Sequence, residues 1–130
     1  MSEKVDITTP EARKSLAKMI MKLFSLWDLV VADQLTLLGL GQGDQDKLVR
    51  YAAGKEGLPI SNYMQDRVSR LLSIHKYLRI LYPYNKNLVY RWINCRNKVF
   101  NNSTPLEIML EENLPGFDRI VNYLRHYASM

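Results

Sequence analysis

Apolar positions in this chain recur at three- and four-residue steps, and nowhere do they alternate over the length of a strand. Ala12, Leu16, Met19, Ile20, Leu23, Phe24 and Trp27 fall on one face of a first predicted helix. Thr8 or Thr9 can cap it. Pro10 suits its first turn, and Glu11 sits near the positive end of its dipole. Lys14, Lys18 and Lys22 make an i+4 stripe on another face, which is either a solvated surface or a phosphate contact. After a break at Asp28 to Val31, Ala32 to Leu38 reads as a short helix with Leu35 and Leu38 inward and Gly39 ending it. Leu40-Gly41-Gln42-Gly43 is a turn. Asp44 to Ala53 reads as a third helix, with Leu48 and Tyr51 or Ala52 inward and Gly54 as a left-handed terminator. Helix, short turn, helix is the layout of a helix-turn-helix.

Ser61 can cap a long fourth helix, Asn62 to Leu81, after a loop from Lys55 to Pro59. Its apolar phase runs through Met64, Val68, Leu71, Leu72, His75 and Leu78, and Pro83 ends it. Tyr82-Pro83-Tyr84-Asn85 is a turn, and Leu88 to Ile93 a short helix with Trp92 inward. The stretch from Asn97 to Leu110 is a turn followed by a strongly specified helix start. The Thr104 hydroxyl can accept an orphan backbone N–H, while Glu107, three residues on, can reach back to the Thr104 N–H. Pro105 takes the first helical position, where its missing N–H costs nothing. Such a start holds Leu106, Met109 and Leu110 in one orientation. Asn113 to Gly116 reads as a joint, and Phe117, Ile120, Val121, Leu124 and Tyr127 mark a last amphipathic helix. The expected fold is all-α. Residues 1–9 are a flexible tail, 10–57 a helix-turn-helix domain, 58–83 a connecting long helix and 84–130 a small C-terminal helical module.

Composition places the chain among ordinary globular proteins, at 47% hydrophobic and 24% charged. No apolar run approaches the roughly 20 residues of a membrane span. The opening Met-Ser-Glu-Lys-Val-Asp has no apolar h-region, and Cys95 is the single cysteine, so the expected setting is the reducing cytoplasm. A net charge of +5 and a pI near 9.4 fit an anionic partner, and equally fit plain solubility.

Catalytic chemistry finds little footing. Cys95 could pair with His75 or His126 only through the fold, and nothing local supplies an oxyanion hole or an orienting partner. His75 falls on the inward phase of its helix, where a hydrogen-bonded packing role is the default. Two histidines and one cysteine at these spacings make no zinc site, and Gly39-x-Gly41-x-Gly43 lacks the Lys of a phosphate loop. The expected protein is not an enzyme and carries neither metal nor cofactor. Lys47, Arg50 and Tyr51 on the third helix are the candidates for phosphate or base-edge contact. Against them, Asp44-Gln45-Asp46 puts two carboxylates at the end of the helix that usually meets DNA. Composition leaves this motif open between a DNA reader and a structural unit. On the last helix, Asp118, Arg119, Asn122, Arg125 and His126 face outward, and Tyr127-Ala128-Ser129-Met130 follows. Sequence physics alone reads those final residues as a fraying end.

The pattern Asn97-x-x-Phe100-x-x-x-Thr104-Pro105-Leu106-Glu107 resembles the core signature of the toxin-binding domain of Xre/MbcA/ParS-type antitoxins. Leu23 to Leu29, Gln34, Leu37-Leu38-Gly39 and Arg50-Tyr51-Ala52-Ala53-Gly54 resemble the family's Xre-like helix-turn-helix. Asp66-Arg67-Val68 through Leu81-Tyr82-Pro83 is similar to its joining helix, and Trp92-Ile93, Gly116, Ile120-Val121 and Tyr123-Leu124 fit its C-terminal half. The resemblance implies an antitoxin of a type II pair, which neutralises a RES-domain, NAD-consuming toxin by occluding its cleft. It implies a homodimer that represses its own operon by binding operator DNA. It places Asn122, Arg125, His126, Tyr127, Ser129 and Met130 against the toxin, and makes Asn97, Thr104, Pro105, Leu106, Glu107 and Gly116 the structural motif. Two departures stand out. Asp44-Gln45-Asp46 replaces a Ser/Thr-rich start, and Asn102 stands where glycine is common. A stand-alone helix-turn-helix regulator without a toxin is the alternative function.

Overall fold

The computed structural model describes residues 4–130, and they form an all-helical protein. Seven α-helices follow one another: α1 (Pro10–Leu26), α2 (Val31–Leu38), α3 (Gln45–Ala52), α4 (Asn62–Leu81), α5 (Lys86–Arg91), α6 (Pro105–Glu112) and α7 (Leu114–Ala128). Two 3-10 turns, Trp92–Asn94 and Lys98–Phe100, lie between α5 and α6. The chain divides into two compact units, one running to Ser69 and the other from Arg70 to Met130. The division falls within α4.

In the first unit, the Thr9 hydroxyl caps α1 by accepting from the Ala12 N–H. Its inner face buries Leu16, Ala17, Ile20, Leu23 and Phe24, with Trp27 just beyond the last turn. Met19 departs from the predicted face and is 54% exposed. Gly39 and Gly54 terminate α2 and α3 in the left-handed conformation, with φ of 70° and 71°. Helix α1 packs on α3, and α2 packs on α3.

Residues 4–9 are not the flexible tail that the sequence predicts. The Val5 N–H donates to Ser69 Oγ at 2.9 Å, and its carbonyl accepts from Gln65 Nε2 at 2.8 Å. The Ile7 carbonyl accepts from Arg13 Nη1, and the Ile7 side chain is buried. A single isoleucine with tied backbone groups is enough to order so short a segment, and no periodicity in it announces this.

In the second unit, Trp92, Ile93, Phe100, Leu106, Met109, Phe117, Ile120 and Leu124 form the core. The short helix before the motif begins at Lys86, two residues ahead of its predicted start, because the Asn85 side chain caps it through the Leu88 N–H. The predicted joint Asn113–Gly116 contracts to Asn113 alone, at φ 59°. Leu114, Pro115 and Gly116 are already helical, with Pro115 in the first turn where it needs no partner. Helix α7 continues through Tyr127 to Ala128, with Ser129 and Met130 beyond it.

Candidate functional site

The geometry of the C-terminal helix is set by what precedes it. The Asn97 side chain caps the second 3-10 turn by accepting from the Val99 N–H, and the Asn97 N–H donates to the Ser103 carbonyl. Asn101 and Asn102 take left-handed conformations between them, at φ 55° and 67°, which asparagine tolerates. Both halves of the capping box then close on α6. The Glu107 N–H donates to Thr104 Oγ1 at 3.0 Å, and the Thr104 N–H donates to Glu107 Oε1 at 2.7 Å. That second bond holds the Glu107 carboxyl below its ordinary value. Pro105 and Leu106 are buried at the start of the helix.

Gly116 is where α7 meets α6. A β-carbon there would lie 2.5 Å from the Ile108 carbonyl oxygen, so only glycine allows this approach. Phe117, Ile120, Val121 and Leu124 are then buried on one face of α7. Asn122, Arg125, His126 and Tyr127 are exposed on the other. Arg125 donates to the Asn122 side chain. The Ser129 hydroxyl donates to the His126 carbonyl, the Ser129 N–H to the Arg125 carbonyl, and Met130 is 87% exposed. Tyr127 joins a run of rings: its centroid is 4.9 Å from that of Tyr123, which stacks on Trp92 at 6.1 Å and meets Phe100 edge-on at 5.2 Å. The six residues expected to meet a partner are thus exposed along the last turns of α7 and the two residues after it.

The DNA-contact candidates on α3 are not presented together. Tyr51 is only 1% exposed, so it is a core residue and not a contact residue. Burial pushes its phenol above the ordinary value. Its inward phase, set by Leu48 one turn earlier, outweighs its place beside Arg50. Arg50 reaches back to Glu56 at 2.6 Å, which offsets its charge. Lys47 is half-buried. The Asp44 carboxylate does not cap α3 but turns back to accept from the Gly41 N–H at 2.9 Å.

Charge is divided unevenly along the chain. Residues 1–69 carry nine Lys and Arg against nine Asp and Glu; residues 70–130 carry nine against four. The whole +5 excess thus belongs to the second unit. Counting charge for the chain as a whole hides this, and counting it by halves reveals it.

Cys95 is exposed, with Sγ 3.2 Å from the Arg91 carbonyl oxygen. His75 is half-buried and its Nε2 lies 3.3 Å from the Tyr90 hydroxyl, with the two rings stacked. Among the described residues, no three His, Cys, Asp or Glu side chains cluster where a metal could sit. No described helix is long and apolar enough to cross a membrane. No family model, curated protein or solved structure matches this chain.

Proposed function

We propose that this protein is a non-enzymatic antitoxin of the Xre/MbcA/ParS type, acting in the cytoplasm as a homodimer on a RES-domain toxin that consumes NAD. The observation that carries the proposal is the outer face of α7. It gathers Asn122, Arg125, His126 and Tyr127 beside an exposed end at Met130, on a helix docked through Gly116 against a doubly capped neighbour. A helix end with a cation and hydrogen-bonding groups suits a cleft built for a pyrophosphate-bearing dinucleotide, because backbone already helical has less ordering cost to meet on entry. The identity of the partner rests on the resemblance of the sequence motifs, in order and spacing, to that antitoxin family. Repression of the operon is the weaker half of the proposal, since Tyr51 is buried and Arg50 is paired.

Co-expression with a RES-domain protein encoded beside this chain tests the reading. The full chain should suppress NAD loss. A chain lacking residues 126–130 should leave much of that loss unprevented while keeping its helical circular dichroism. Equal protection by the shortened chain means that another surface inhibits. No protection by the full chain overturns the antitoxin reading and leaves a stand-alone regulator.

A further inference from the structure

Arg70 to Leu106 contains seven cations and not one Asp or Glu. Within this stretch, the end of α4, the turn after it and α5 enclose a surface cleft of about 370 Å³. Lys76 and Arg79 come from the last turns of α4, Lys86 from the start of α5, and Tyr82, Tyr90 and Ile80 complete most of its wall. Three cations share this cleft with two aromatic rings, and no carboxylate lines it. Lys76 and Arg79 are one turn apart, so their charges lie on one side of α4. Tyr84, in the same turn as Tyr82, is 99% exposed, an unusual position for an aromatic ring in an ordered segment.

We infer that this cleft binds single-stranded nucleic acid, with Lys76, Arg79 and Lys86 on successive phosphates and the tyrosines of the turn stacking on bases. The charge argument requires a polyanion: cations concentrated in one stretch with no interspersed acids form the electrostatic footprint of a phosphate backbone. The rings favour a single strand over a duplex, because only unpaired bases offer their faces to an aromatic side chain. A duplex would take the cations but leave Tyr84 unused. The first unit carries no net charge, and α3 spends Arg50 on Glu56. Nucleic-acid affinity is thereby assigned to the second unit, independently of whether the chain is an antitoxin.

Fluorescence anisotropy of the full chain with a labelled twelve-residue oligothymidylate tests this. Affinity should fall with salt at a log–log slope of about −2, from three phosphate contacts at roughly 0.7 each. The triple variant Lys76→Gln, Arg79→Gln, Lys86→Gln should lose most of that slope and bind at least about tenfold more weakly at low salt. Tyr84→Ala should weaken binding roughly tenfold while leaving the slope unchanged, as lost stacking does. Lys47→Ala with Arg50→Ala should bind like the parent. All these residues are exposed except half-buried Lys47, and circular dichroism melts of each variant check that the fold is kept. Absence of salt-sensitive binding by the parent overturns the inference, as does parent-like binding by the triple variant. Tighter binding of a matched duplex, or equal competition by polyglutamate of the same length, overturns it in favour of double-stranded DNA or an acidic protein surface respectively.

Discussion

The Arg67 guanidinium donates to the Leu37 carbonyl oxygen at 2.9 Å, across thirty residues of sequence. It also donates to the Thr36 carbonyl at 3.2 Å and to the Tyr63 hydroxyl at 2.7 Å. Carbonyls in the last turn of a helix have no partner within it, and a cation is the favoured partner there. Arg67 is 2% exposed, so it serves α2 as a buried cap. Arg67→Met should destabilise the protein by on the order of 3 kcal/mol, because it leaves desolvated carbonyls behind. Arg67→Lys should recover little, since a point charge cannot span three acceptors. Urea unfolding followed by circular dichroism measures both; a loss under about 0.5 kcal/mol for Arg67→Met contradicts the assignment.

Gly116→Ala places a methyl group 2.5 Å from the Ile108 carbonyl oxygen. The contact is with backbone, which cannot swing aside, so α6 and α7 must separate. Overpacking of this kind costs roughly 1–3 kcal/mol. The ordinary helical benefit of Ala over Gly, about 1 kcal/mol, is too small to reverse the larger part of it. A melting temperature equal to or above the parent's contradicts the close approach.

Glu107 and Asp6 each hold a carboxyl below its ordinary value, the first through the Thr104 N–H and the second through Thr8. A carboxyl depressed on folding contributes stability above its unfolded pKa, near 4. That contribution is lost as pH falls through the lower, folded value. Glu107→Gln should therefore flatten the acid limb of a stability-against-pH curve below about pH 4. An acid limb identical to the parent's indicates that the reciprocal bond is absent in solution.

Cys95→Ser should leave toxin neutralisation and melting temperature unchanged, because the thiol is exposed and its one close contact is a neighbouring carbonyl that a hydroxyl also satisfies. Loss of protection with the fold intact points to thiol chemistry and against a purely occluding role.

What the sequence made legible was local. Thr104, Pro105 and Glu107 form a cap from residues within four positions of one another, and Gly39 and Gly54 end helices by their own conformation. The all-helical class followed from the spacing of Leu16, Ile20, Leu23 and Phe24. What escaped depends on residues far apart in the chain. Val5 is held by Gln65 and Ser69, and Arg67 is buried against carbonyls of α2. Gly116 was placed in a joint because its backbone freedom is visible in sequence, whereas its missing β-carbon matters only against α6. Tyr51 shows a conflict that sequence leaves unresolved, since one residue satisfied both an inward phase and a basic motif. The cleft escaped because a single total for the charge averages a neutral half with a basic one.

The missing acids between Arg70 and Leu106 also decide how such a surface is controlled. With no carboxylate in the stretch, no negative charge within it is there to be neutralised by mild acid. His75 is the one imidazole there, and burial with Arg79 nearby holds it below its ordinary value. Protonation of that imidazole adds to the positive charge of the stretch, so acid does not weaken it. A face of this kind is tuned by dissolved ions, which thin its field within about 8 Å at physiological strength. Osmotic upshift, rather than acidification, is the stress that would loosen its hold on a polyanion.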